Sequence, residues 1–512
     1  MTTNKALLLI HPPLAKPCEP PAGIAALAGA VRGHDLQCTL LDANLEGMLH
    51  LLALPLTATD TWSRRAHKNL AANLTALRSP ELYLNPDRYR RAVADINRLL
   101  ELAGRSHHLS LSLANYQDPQ ISPLNSADLL RAAHTPAENI FYPYFATRLP
   151  QLLAAKEPRH IGFSLNYLSQ APTTFAMVGF LKQIAPHLPV VLGGGLVTSW
   201  LRSPAWQNPF AGLIDHLVAG PGEVPLLALL GCTAEPRHQT PDYEDLPVAD
   251  YLAPGLILPY AASSGCYWKR CTFCPEKAEQ NPYQPLPVER VLADLGPLIE
   301  KNRPSLLHFL DNAISPALMK GLIATPPGVK WYGFSRIAPE LAEVEFCRAL
   351  KQSGCVMLKL GLESGDQEVL TATDKGIDLS LVSRVLSALQ AAGIATFVYL
   401  LFGTPSESLS HAQRTLDFVV HHHEAITFLN LAVFNMPLTS QEAPVLATNA
   451  FYEGDLSLYT DFTHPLGWDR QAIRRFLEQE FKRHPAIDAI LKRVPPHFTS
   501  NHAPYFARQC SS

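Results

Sequence analysis

Apolar positions along this chain follow two patterns: short unbroken runs that stop at Pro, Asp or Gly, and longer segments with apolar residues three and four apart. The first predicts strands buried on both faces, and the second predicts helices packed by one stripe. The run from Ala6 to Ile10 ends at His11-Pro12-Pro13, helical spacing follows over Gly23 to Arg32, and a second run from Cys38 to Leu41 ends at Asp42-Ala43-Asn44. Strand, helix, strand in that order predicts the opening of a doubly wound sheet. From about 45 to 157 the text is helical, as over Thr61 to Leu77 and Asp87 to Leu102, which predicts an inserted helical layer. The alternation then resumes with strands over His160 to Asn166, Val190 to Leu192 and His216 to Ala219 and a helix over Thr173 to Ile184.

Glycines close these later strands, at Gly193-Gly194-Gly195 and Gly220-Pro221-Gly222-Glu223. Glycine at the carboxyl end of a parallel strand lets a large ligand approach the backbone, and open α/β sheets bind ligands along that edge. Residues 1–230 therefore read as a Rossmann-like binding domain, and the Pro- and acid-rich 231–255 as a linker. Alternation returns over 256–435, with strands predicted at Ile257 to Ala262, Leu306 to Leu310, Lys330 to Ser335, Val356 to Leu362, Ala395 to Phe402 and Ile426 to Phe434. Helices are expected near Leu292, Leu318, Phe346, Leu386 and Leu416. The last region, 436–512, is less regular and mostly helical, with an amphipathic stretch over Trp468 to Arg493 and an aromatic tail expected to close over the mouth of the second domain, carrying His497 and His502.

Composition narrows the setting. With 512 residues, 47% of them hydrophobic, the chain can bury sizeable cores. A net charge of -3 leaves no footprint for nucleic acid or an anionic membrane. No segment approaches the roughly 18 uncharged apolar residues of a membrane span, and the first apolar run is too short for a signal peptide. An odd number of cysteines, nine, with three in one loop, argues for a reducing, cytoplasmic setting.

The chemistry concentrates in Ser264-Gly265-Cys266-Tyr267-Trp268-Lys269-Arg270-Cys271-Thr272-Phe273-Cys274. Cys266, Cys271 and Cys274, spaced C-x4-C-x2-C, can converge on a soft metal centre. Zinc wants a fourth ligand, and the next candidates are the distant His308 and Cys347. Three thiolates suit a 4Fe-4S cluster with one iron open to a substrate; zinc and plain core packing are the competing readings.

With Phe273 before its last cysteine, the loop resembles that of radical S-adenosylmethionine (radical SAM) enzymes, C-x3-C-x2-C, with one extra residue between Cys266 and Cys271. Pro12-Pro13, Pro21, Gly23, Leu27, Asp42-Ala43-Asn44, Gly193-Gly194-Gly195 and Gly220-Pro221-Gly222-Glu223, in order and upstream of the loop, resemble the binding domain of the cobalamin-dependent members. The resemblance implies an α/β chain with a Rossmann-like cobalamin-binding domain, a partial six-unit (β/α) barrel over 256–435 and a C-terminal region covering it. It implies three cofactors: a 4Fe-4S cluster on the cysteines, S-adenosylmethionine (SAM), and cobalamin near Pro12, Asn44, Gly193, Gly194, Gly222 and Glu223. Asn44 stands where cobalamin mutases carry the histidine that ligates cobalt, so a histidine from this position would not hold the lower face.

Barrel chemistry gathers at strand carboxyl ends. There the resemblance places Asp311 and Asn312 at the methionine amino group, Arg336 at its carboxylate, Glu363 and Ser364 at the ribose, and Gly403, in Phe402-Gly403-Thr404-Pro405-Ser406-Glu407, near adenine. The implied activity is reductive cleavage of SAM coupled to cobalamin-dependent methylation of an unactivated carbon, fed by an external electron donor such as flavodoxin or ferredoxin. The substrate, a small molecule or peptide, and any catalytic side chain are not legible. A non-methylating radical SAM rearrangement or cyclisation, and a non-catalytic iron-sulfur or corrinoid carrier, stand as alternatives. No nucleic-acid partner is expected.

Overall fold

The computed structural model describes residues 6–55, 60–203, 205–232, 238–451, 453–496 and 502–506. The described residues divide into two compact units, one built on residues up to 256 and one on 257–451 and 459–495, with 453–458 and 496 grouped in the first and 502–506 in the second.

The first unit holds a five-stranded, wholly parallel sheet: β1 (Leu7–His11), β2 (Cys38–Asp42), β3 (His160–Ser164), β4 (Val190–Gly193) and β5 (His216–Leu217), in the order β2-β1-β3-β4-β5. All five residues of β1 are buried, as expected of a central strand covered on both faces. The order reverses between β1 and β3, and at such a switch point the loops diverge and leave a crevice at the strand carboxyl ends. Helix Ala22–Arg32 covers the sheet, and Arg32 pairs with Asp242 at 2.7 Å and with Asp245, so 238–256 is bound to this unit. Tyr251 adds a hydrogen bond from its hydroxyl to Asp42 Oδ2 (2.7 Å).

The connection from β2 to β3 carries the helical layer: Ala43–Ala53, Thr61–Leu77, Pro86–Arg105, Ser126–His134 and Tyr142–Lys156. Side chains from Asp42, Asp60, Asn85 and Asn125 accept backbone N–H groups at the starts of the first four, as N-caps do. Glu46 binds Arg148 (2.9 Å) and Tyr144 (2.9 Å), which ties the last helix of the layer to the first.

The second unit holds a six-stranded parallel sheet in sequential order: β6 (Ile257–Tyr260), β7 (Leu306–Phe309), β8 (Trp331–Ser335), β9 (Cys355–Glu363), β10 (Ala395–Phe402) and β11 (Phe428–Val433). A helix lies between each successive pair, at Val288–Asn302, Pro316–Ala324, Val344–Gln352, Leu379–Ala391 and Leu409–His421. Sequential order with helical crossovers is singly wound, the arrangement of a partial barrel.

Two expectations change. The stretch Trp468 to Arg493 is not one helix: Arg470–Phe476 runs into a widened turn at Leu477–Phe481, and a new helix starts at Pro485 and ends at Arg493. Proline cannot donate the N–H that a continuous helix needs, so it opens a helix here instead. Among the described residues of the tail, His502 lies away from the carboxyl ends of the strands. His502 is buried with its ring 4.7 Å from Phe397 and 4.7 Å from Phe428, near the starts of β10 and β11, because the aromatic stack it joins lies there. His497 lies outside the described residues. Among the described residues no helix is long and apolar enough to cross a membrane.

Candidate active site: a strapped cysteine loop at the carboxyl end of a parallel barrel

Beyond β6 the chain enters the cysteine loop through a short antiparallel pair, Ser263-Ser264 against Gln284-Pro285. Gly265 follows at φ +70, where an added Cβ would lie 2.4 Å from the Pro282 carbonyl, so only glycine makes this turn. The described cysteines are free of disulfides, and Cys266, Cys271 and Cys274 share the one loop. Within the C-x4-C spacing Lys269 takes a left-handed backbone at φ +52.

This excursion carries Trp268 onto the segment after β9. Its indole N–H donates to the Asp374 carbonyl (2.9 Å), and its ring lies where a Cβ on Gly376 would stand, 1.9 Å away. Arg270 pairs with Asp374 (2.9 Å), and the Thr272 N–H donates to the Thr373 carbonyl (3.0 Å). The loop is therefore strapped to residues 373–376 by side chain and backbone together.

Cations face the thiols. Arg336 Nη1 is 3.9 Å from Cys271 Sγ, its Nη2 donates to the Lys375 carbonyl, and the guanidinium stacks 4.2 Å over the Trp268 ring. Lys375 donates to Glu363 Oε1 at 2.8 Å. Burial pushes the Cys271 thiol up, while Lys375 and Arg336 pull it down. Burial lifts Cys274 to about 11 against the backbone N–H groups of Lys277 and Glu276 that point at its sulfur. Neutral thiols are disfavoured partners for such donors and cations; anionic thiolates bound to a metal centre suit them.

The donor set fits a three-cysteine iron-sulfur cluster better than zinc. Both downstream donors that would complete a zinc tetrahedron are engaged elsewhere: Cys347, fully buried, donates to the Leu341 carbonyl (3.2 Å), and His308 lies in β7 with its Nε2 3.2 Å from Lys359 Nζ.

The strand-end residues separate into open and committed groups. A register shift between Gly361 and Glu363 bulges the end of β9 and leaves Glu363 at φ +69, a conformation a non-glycine residue holds only under constraint. Gly361 makes room: a Cβ there would come 2.5 Å from Glu363 Oε1 and 2.9 Å from Lys375 Nζ. Ser364 is fully buried, accepts from the Asp366 N–H (3.1 Å), and donates to Thr415 Oγ1 (3.1 Å), whose own proton goes to the His411 carbonyl. It is spent on the helix start, which leaves Glu363 the less committed of the two residues expected at the ribose.

Asp311 is likewise committed. Its Oδ2 accepts from the Ala262 N–H (3.1 Å) and its Oδ1 from Ser263 Oγ, so it pins the entrance of the cysteine loop rather than offering a free carboxylate. Its neighbour Asn312 is exposed. Arg336 departs from expectation in the same way, turned onto the loop instead of standing open for a carboxylate.

Gly403, at φ +88, lines a cavity of about 170 Å³ with Phe434, Asp461, His464, Trp468 and Arg470. Beside it Glu407 is fully buried and accepts from the Gly403 N–H and from Trp468 Nε1 (3.1 Å), leaving Oε1 without a partner among the described residues. Burial raises its carboxyl to about 7 against those two donors. Sequence reading missed Trp268 and Trp468; the inserted position in the cysteine spacing was the available signal for the first.

In the first unit the switch-point edge is also built around committed polar groups. Gln170 Nε2 donates to the Pro12 carbonyl (2.8 Å) and fixes the loop after β1. Asn44, 2% exposed, accepts from the Ala15 N–H (2.8 Å), so its amide belongs to the scaffold of that loop. Gly194 sits at φ +112 with a Cβ position 2.4 Å from the Leu165 carbonyl, and the Gly195 N–H donates to Asn166 Oδ1 (3.0 Å). Gly193 and Glu223 are partly exposed; a Cβ on Gly222 would meet Leu27 at 3.2 Å.

A parallel partial barrel with three cysteines strapped at its carboxyl edge defines a class, and residues 260–419 match the Radical SAM superfamily. That match takes in the barrel, and likeness to the superfamily implies a 4Fe-4S cluster and SAM. Among solved structures it resembles OxsB, a cobalamin-dependent S-adenosylmethionine radical enzyme with aqua-cobalamin bound, at 14% identity over 86% of this chain and 55% of that one, TM-score 0.51. It also resembles TsrM of Kitasatospora setae, a radical S-adenosylmethionine methyltransferase with tryptophan substrate and aza-SAM bound, at 16% identity over 88% and 79%, TM-score 0.50. These likenesses show a common fold, a Rossmann-like sheet followed by a radical SAM barrel. An uncharacterized methyltransferase of Pyrococcus horikoshii, PH0819, is 25% identical over 282 residues; the match takes in 48% of this chain and 60% of that relative's length.

Proposed function

We propose that this protein is a cytoplasmic, cobalamin-dependent radical SAM enzyme that transfers a methyl group to an unactivated carbon of a small molecule or peptide. The observation that carries the barrel half is the set of three cysteines on a loop strapped by Trp268 and faced by Arg336 and Lys375. Support for the cobalamin half is the 2-1-3-4-5 sheet with its glycine-bearing carboxyl edge, together with the fold shared with OxsB and TsrM. When bound, the cluster supplies the electron for cleaving SAM and cobalamin supplies the methyl group.

The chain's own residues divide the remaining work. Cys266, Cys271 and Cys274 hold the cluster, and Asp311 keeps the loop's entrance in place through Ala262 and Ser263. Glu363, oriented by Lys375, accepts from the ribose hydroxyls of SAM, and exposed Asn312 is the polar group left for its methionine end. The cavity at Gly403 takes an apolar, planar group such as adenine against Phe434 and Trp468. In the first unit the Pro12 loop and Gly193 to Gly195 hold the corrin, with Gly222 and Glu223 at the neighbouring turn; Asn44 gives no ligand to cobalt because its amide serves Ala15. A low-potential one-electron donor, flavodoxin or ferredoxin, feeds the cluster.

The test is a cofactor count joined to product analysis. Protein purified without oxygen from cobalamin-supplied cells should carry about four irons and about one cobalt per chain. After reduction it should convert SAM to both 5'-deoxyadenosine and S-adenosylhomocysteine. Iron without cobalt, with 5'-deoxyadenosine as the sole adenosyl product, would favour a radical SAM rearrangement; absence of SAM cleavage would leave a carrier.

A further inference from the structure

Arg336 is a buried guanidinium, 8% exposed, with no carboxylate partner among the described residues. Its three contacts are all on the cysteine loop and its strap: the Cys271 sulfur at 3.9 Å, the Lys375 carbonyl, and the face of Trp268 at 4.2 Å. Lys375 is also near Cys271, but its charge is met by Glu363 at 2.8 Å. An arginine left unpaired in the interior is costly unless an anion lies against it. Here the anion is a cysteine thiolate carrying an iron-sulfur cluster, whose negative charge grows by one on reduction.

We propose that Arg336 is the fixed cation that sets the reduction potential of the cluster through Cys271, and that the fourth residue of the C-x4-C spacing exists to bring Trp268 over it. A positive charge held beside a ligand sulfur stabilises the reduced cluster more than the oxidised one, so the potential rises. The clamp is what makes the charge count. The left-handed turn at Lys269 delivers the indole, the bond to Asp374 fixes it, and Gly376 leaves it room. An aromatic face beneath the guanidinium and the Lys375 carbonyl at its edge leave Arg336 no other anion to turn toward. Arg336 is thus a positioning residue for electron uptake. The inference rests on the cluster assignment above but is separable from it.

The experiment is an EPR-monitored redox titration, without SAM, of reconstituted full-length protein alongside Arg336→Gln, Arg336→Lys and Trp268→Leu, each with iron and sulfide counted. Wild-type protein without iron would refute the cluster assignment itself. With the cluster present, Arg336→Gln should disfavour reduction at least tenfold, read as a midpoint about 59 mV lower for one electron. Arg336→Lys should shift it less, and Trp268→Leu should move it in the same direction. Equal shifts for the Gln and Lys variants, or an unchanged midpoint with weakened SAM binding, would overturn the proposal; the second result would return Arg336 to the methionine carboxylate. If Arg336→Gln loses its iron, Trp268→Leu decides: an iron-replete variant with an unchanged midpoint sinks the idea.

Discussion

At the scale of single residues, neighbours in sequence do opposite jobs. Glu363 stands open on a strained backbone with Lys375 behind it, whereas Ser364 is sealed into the start of the next helix. Glu363→Gln is therefore expected to weaken SAM binding at least tenfold with iron content unchanged. Ser364→Ala should leave SAM affinity within twofold and cost about 1 kcal/mol of stability from the lost hydrogen bonds; isothermal titration and urea denaturation separate the two outcomes. Glu407 makes a pH prediction. Burial lifts its carboxyl from 4.5 to about 7, so the folded protein keeps a proton that the unfolded chain has released. Its penalty is absent below about pH 4.5, grows as pH rises and is complete above about pH 7, amounting to about 3 kcal/mol. Relative to wild type, Glu407→Gln should gain most of that stability on going from pH 5 to pH 8, measured by denaturation of both proteins at each pH.

At the scale of elements, two glycines hold the ligand edges in shape. Gly376→Ala would drive a methyl into Trp268 and strain a backbone at φ +68, so it should strip more than half the iron while circular dichroism stays unchanged. Gly194→Ala should lower bound cobalt and spare iron, since its clash is with Leu165 in the first unit. The elements themselves were legible because each sheet strand is an apolar run ended by Pro, Gly or a polar residue. Ala395 to Phe402 matches to the residue, and the other strand ends differ by at most two. The amphipathic stripe of Trp468 to Arg493 concealed a break, since the pattern of apolar residues continues across the turn before Pro485. Side-chain commitments were not legible. A strand-end position says that Asp311, Arg336 or Ser364 lies at the edge, but not that Ala262, Cys271 or Thr415 has already claimed it.

At the scale of the molecule, each unit contains its own parallel sheet, and the three cysteines belong to the second. Replacing Cys266, Cys271 and Cys274 together with Ala should abolish the brown absorption and iron content yet leave cobalamin binding within a few fold, as read by cobalt analysis. Iron retained in that variant would show that other residues hold it.

The helical layer lies in the chain between β2 and β3, ahead of the later strands of the first sheet, and this placement has a consequence for synthesis. β1 pairs with β2 on one side and with β3 on the other, but β3 begins only at His160. A ribosome adding roughly 5 to 20 residues per second needs about 6 to 23 s to pass from Asp42 to that point. Throughout that interval the apolar edge of Leu7 to Ile10 lacks its second partner. The helices of the insert are therefore complete before β1 can gain its second neighbour, so closing the centre of this sheet is a late step that follows synthesis of the whole helical layer.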